Sequence, residues 1–144
     1  MLMVEEAHLP MTISVPGLSD EAFRELCDRY ADCFVEYTAE GALLVMPAAD
    51  PKTSARNLEI CFQLKLWARS FGKGLVTDPS GGFELPDGSR LSPDAAWISE
   101  ERLSRKPTCP EFVIELLSPT DRPARTYAKM QQWVENGALL GVDD

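Results

Sequence analysis

Histidine is almost missing from this sequence. The only one, His8, lies near the N-terminus, so Ser118 has no imidazole in its own motif to activate it and is not read as a nucleophile. Four cysteines (Cys27, Cys33, Cys61 and Cys109) include no C-x-x-C pair, which argues against the usual zinc and dithiol chemistry. They read as reduced thiols; their even number would permit two disulfides, but a chain of this length can build a core without such staples. No apolar run approaches the ~20 residues of a membrane-spanning helix. The opening MLMVEEAHLPM carries acids where a secretory leader carries lysine or arginine, so a cytoplasmic protein is expected. Cations are also scarce: 14 Lys and Arg face 23 Asp and Glu, giving a formal charge of -9 that should repel a phosphate backbone globally. Any nucleic-acid contact must then be local. Arg90, Arg102, Arg105 and Lys106 form one cluster, and Arg122, Arg125 and Lys129 another; both also fit ordinary solvated surface charges.

What is present suits one soluble globular unit of 144 residues, with 1–10 as a flexible tail and 11–144 as a single domain. Thr12 to Val15 reads as a short edge strand before the Pro16-Gly17 turn. Ser19, followed by Asp20 and Glu21, has the chemistry of a helix N-cap, and the helix should run to about Tyr30. Phe34–Tyr37 and Ala42–Met46, joined by a glycine-containing connection, predict a hairpin. From Lys52 to Phe71, Leu58, Cys61, Phe62, Leu64, Leu66 and Trp67 recur at mostly helical spacing and predict one buried helix face. Leu75–Thr77, Gly81–Leu85 and Ser92–Ile98 read as a meander of strands, and Glu111–Leu117, nearly all apolar, as a central strand covered on both faces. A second helix over Arg122–Glu135 and a last strand over Ala138–Val142 complete an α/β or α+β fold, a mixed sheet flanked by helices and preceded by a helix and hairpin.

One charge, Glu115, interrupts the central apolar strand, and Asp94 opens another about twenty residues earlier. If the two strands are neighbours, their carboxylates converge. A buried carboxylate costs several kcal/mol unless compensated, and a divalent cation is one compensating partner. Mg2+ suits two carboxylates, water and phosphate oxygens, with the Leu116 carbonyl as a further ligand; Mn2+ is the alternative. Two plainer readings stay open: Glu115 pairs with an arginine, and Asp94 caps a turn after Pro93.

The segments FVEYTAEGALLVMP, LSPDAAWIS, PEFVIELLSPTDR and KMQQWVENGALLG, in this order, resemble the Uma-type family of bacterial restriction endonucleases, assigned to the PD-(D/E)XK nuclease superfamily. The resemblance runs from about Ile13 onward. It implies a restriction-endonuclease-like fold and a Mg2+-dependent endonuclease acting on DNA. By motif, Asp94 matches the aspartate of the PD signature and Glu115 the acid of E-x-x-S-P, both as metal ligands and catalytic residues. The lysine of E-x-K would fall at Leu117, which cannot serve, and Lys129 in the KM segment takes its place as the third catalytic residue. Glu36 stands where the family often has an acid, and Asn57 near where many members carry histidine; an amide cannot act as a base there. The closing LLGVDD is shorter than the LGWLIDP strand usual in the family, which implies an exposed sheet edge and hence a homodimer. The competing reading is a non-catalytic member serving as an interaction or regulatory module.

Overall fold

The computed structural model describes residues 9–117 and 123–143. Ser118, Arg122, His8 and most of the expected tail lie outside the described residues.

Thirteen elements appear among the described residues. The edge strand β1 (Met11–Ser14) is followed by α1 (Asp20–Arg29), whose N-cap Ser19 accepts from the Ala22 N–H at 3.1 Å. The hairpin β2 (Phe34–Tyr37) and β3 (Ala42–Met46) falls where turn chemistry placed it. The long helix α2 (Pro51–Phe71) opens on Asp50, whose carboxylate accepts the Thr53 N–H, and closes on Gly72 in the left-handed region. Next come β4 (Leu75–Thr77), β5 (Phe83–Glu84), β6 (Arg90–Leu91), β7 (Ala95–Ile98), the short α3 (Glu100–Leu103) and β8 (Phe112–Glu115). Helix α4 (Pro123–Glu135) and β9 (Leu140–Asp143) end the series.

The strands form two sheets rather than one meander. The first is antiparallel, in the order β1-β3-β2-β6-β5; the second, β4-β7-β8-β9, is antiparallel except for the parallel β8–β9 pair. The segment expected to be one strand, Ser92–Ile98, is the crossing point. Arg90 and Leu91 still belong to the first sheet, Ser92-Pro93-Asp94 bends, and Ala95 enters the second. Pro93 explains the break, because it has no N–H for a ladder. Asp94 therefore sits at the entrance of β7, beside the centre of the mixed sheet.

Helix α2 covers one face of that sheet over β4 and β7, while α4 covers the other over β8 and β9. Under α4 the packing is closed: Ile98, Val113 and Trp133 are fully buried, joined by Phe83 and Leu91 from the first sheet and Leu85 from the turn between β5 and β6. The α2 face contradicts the expected pattern. Its buried residues are Asn57, Leu64 and Ala68, whereas Leu58 is 72% exposed and Phe62 53%. Small Ala68 and narrow Asn57 let the helix approach the sheet, turning the bulkier apolar stripe away. Strand β8 is accordingly central but unevenly covered: Val113 and Glu115 are buried toward α4, while Phe112 and Ile114 line a groove of about 490 Å³ beside α2.

Candidate active site

Glu115 is the last residue of β8 and alternates onto the same face as Val113, toward α4. Neither plain reading of the carboxylates survives in full. Among the described residues Glu115 meets a lysine rather than an arginine: its Oε1 accepts from the Trp133 indole N–H at 3.0 Å and lies 3.2 Å from Lys129 Nζ. Asp94 does not merely cap its own turn, because its Oδ2 accepts the Leu116 N–H at 2.6 Å, across the β7–β8 pair. That bond ties Asp94 to the residue directly after Glu115.

Lys129 lies on α4 and joins two buried acids from different sheets. Its Nζ is 3.0 Å from Glu36 Oε2 and donates to the Ser92 carbonyl at 3.4 Å. Glu36, on β2, also accepts the Ser92 N–H at 2.7 Å. The Ser92 main chain is thereby held through both its N–H and its carbonyl, two residues before Asp94. From the opposite helix layer, the Asn57 amide donates to the Asp94 carbonyl at 3.1 Å. Asn57 thus supports the main chain of Asp94. Cys61, one turn further along α2, points its thiol at the same carbonyl.

The electrostatics follow from this crowding. Burial pushes the Glu115 carboxyl up to about 7; Lys129 opposes that shift, while the nearby charges of Asp94 and Glu36 reinforce it. Burial alone would lower the Lys129 ammonium, but Glu36 and Glu115 outweigh it and hold the group above the ordinary lysine range. Lys129 is consequently a fixed positive charge near neutral pH and not a proton acceptor. Burial also raises the thiols of Cys27, Cys61 and Cys109, the last to about 11, so these three remain protonated and weakly nucleophilic. All four cysteines are free.

All of the expected site residues therefore meet at one end of the mixed sheet. Glu36, Glu115 and Lys129 are in direct contact; Asp94 and Leu116 share a hydrogen bond; Asn57 touches the site through the Asp94 main chain. Sequence reasoning missed Ser92 and Trp133. Trp133 carries a usable signal, since it follows Lys129 by four residues and must share its helix face. Ser92 carries none, because its contribution is made by main-chain atoms.

The basic clusters resolve differently. Arg102 donates to the Cys109 and Gly137 carbonyls and pairs with Glu111, so it fastens loops rather than facing solvent. Arg90 lies over the Phe23 ring and pairs with Asp20 and Glu84. Arg105 and Lys106 remain more exposed.

Among the described residues, no three His, Cys, Asp or Glu side chains are grouped to hold a metal ion. Two carboxylates and a main-chain carbonyl, all hard oxygens, are nevertheless a donor set that suits Mg2+, which usually keeps several waters. In donor chemistry the residues present fit such an ion.

The model of the family Uma2, described as "Putative restriction endonuclease", matches residues 20–142. Among solved structures, one titled a putative nuclease belonging to DUF820, from Anabaena variabilis ATCC 29413, shares the fold with a TM-score of 0.63 at 19% sequence identity. The alignment covers 76% of this chain and 65% of that one, so this chain spans about two-thirds of the neighbour's length. No curated protein matches the sequence. The expected α+β architecture, a mixed sheet flanked by helices, agrees with this neighbour.

Proposed function

This chain belongs to the Uma2 putative restriction endonuclease family, and on that premise we propose that its acidic cluster is the centre of a Mg2+-dependent endonuclease that hydrolyses DNA phosphodiester bonds. The observation that carries the proposal is Lys129 seated between buried Glu36 and Glu115, with Asp94 bonded to the adjoining Leu116 N–H.

Asp94, Glu115 and the Leu116 carbonyl would hold the ion, either Mg2+ or Mn2+. When bound, a divalent cation makes water more acidic and neutralises charge gathering on a phosphate. The chain's own residues do the rest. Lys129 presents a permanent ammonium at the same end of the sheet, where it would stabilise negative charge on a bound phosphate. Glu36 holds Lys129 in place and, through the Ser92 N–H, fixes the bend that presents Asp94. Asn57 has an amide and no basic nitrogen, so it supports the Asp94 carbonyl without moving a proton.

The cleavage assay is direct: supercoiled and linear DNA with Mg2+ or Mn2+, comparing the native chain with Asp94→Ala. Cleavage should fall at least a hundredfold. Equal cleavage by a clean Asp94→Ala preparation rejects the proposal, and a parallel RNA substrate separates DNA from RNA hydrolysis.

One observation favours a second component. Leu139 is 76% exposed and Leu140 56%, beside the edge strand β9, and a second copy of the chain would cover them. We include a homodimer in the proposal; sedimentation equilibrium should show concentration-dependent association, and a monomer at all concentrations removes it. The same apolar residues also suit a non-catalytic interaction module, which predicts no cation binding at Asp94 and Glu115.

A further inference from the structure

Trp133 is fully buried in the core beneath α4. Its indole N–H needs an acceptor once water is removed. That acceptor is a carboxylate proposed to bind the cation, Glu115 Oε1 at 3.0 Å. Lys129, one turn earlier on α4, lies 3.2 Å from the same oxygen. Both donors therefore converge on Oε1. The indole is itself packed: the Phe83 ring meets it edge-on with centroids 6.2 Å apart, while the Cys109 thiol donates to the Trp133 main-chain carbonyl.

We propose that Trp133 is a positioning residue: by occupying Oε1 it fixes the torsion of Glu115 and assigns the other carboxylate oxygen to the cation. The inference rests on the cation reading of the preceding subsection. A second donor beside Lys129 is required because an ammonium on a flexible stem fixes charge but not orientation, whereas a packed indole fixes direction. Losing such an outer partner of a metal ligand typically weakens metal binding by about 10–100-fold.

The test uses the full chain and the metal alone. In a 1H–15N spectrum the three tryptophans give three indole signals, of which Trp67 and Trp97 belong to the opposite face of the sheet. Adding Mg2+ should move the Trp133 signal and leave those two in place. Trp133→Phe, checked for folding by its thermal transition, should bind Mn2+ about tenfold or more weakly by calorimetry. If the native chain binds Mn2+ but the Trp133 signal stays fixed and Trp133→Phe binds equally well, the positioning role is wrong and the cation reading stands. If the native chain binds neither ion, both fall together. Should Trp133→Phe fail to fold, the native indole signal decides the question alone.

Discussion

The two faces of the mixed sheet are built to different standards. Under α4, Val113, Ile98 and Trp133 are sealed, and Glu36 and Glu115, buried at its end, both pair with Lys129. Under α2, which packs mainly on β4 and β7, Trp67 and Leu140 stay 42% and 56% exposed around the groove. Chemistry that depends on fixed distances is found on the sealed face, because packed neighbours hold a rotamer more narrowly than solvent does. The open face contributes Asn57 and Cys61 to the site, and both act on the main chain of Asp94.

The comparison is most sharply tested by truncating one tryptophan on each face. Trp133→Ala should cost about 3–5 kcal/mol, since it opens a cavity in a closed core. Trp67→Ala should cost about 1 kcal/mol, because much of that ring already faces water. Similar losses in denaturant titration would break the distinction.

Lys129→Met comes next in size. It keeps the stem but strands two buried carboxylates, and removing one partner of a buried ion pair costs about 3–5 kcal/mol before relaxation. The loss should shrink as the pH is lowered and Glu115 takes up a proton; a loss constant from pH 5 to 8 would show that Lys129 does not compensate that charge.

The smallest effect is expected at Leu58. Its apolar side chain faces solvent, so Leu58→Gln should change stability by no more than about 0.5 kcal/mol. A loss above about 2 kcal/mol would mean that something covers this stripe in solution.

These contrasts mark how far the sequence could be read. The Ser19 cap, the Phe34–Met46 hairpin and the glycine end of α2 were legible because local chemistry determines them. Asp94 and Glu115 stood out for a related reason, as charges placed against an apolar pattern. Lys129, Glu36 and Asn57 came from the resemblance, since nothing local distinguishes them from surface residues. The buried side of α2 was read only in part, because periodicity locates an apolar stripe without saying which flank meets the sheet; Leu64 was expected to be buried and is, whereas Asn57 and Ala68 could be chosen only by the packing itself. The switch between sheets at Ser92-Pro93-Asp94 was hidden for the same reason. Strand partners are selected at long range, and a proline break resembles a strand entrance when seen locally.

The central claim, that Asp94 and Glu115 hold a divalent cation, is tested most directly by titrating Mn2+ into the native chain from pH 6 to 8.5 by calorimetry. On this account the ion would take the ionised form of Glu115, whose carboxyl burial pushes up to about 7. Binding should therefore weaken by roughly tenfold for each pH unit below that value and level off above it. At pH 7, about half a proton should be released per ion, as read from buffers of different ionisation enthalpy. Glu115→Gln and Asp94→Ala should each abolish the signal. Affinity independent of pH, or binding retained in both variants, would contradict the account.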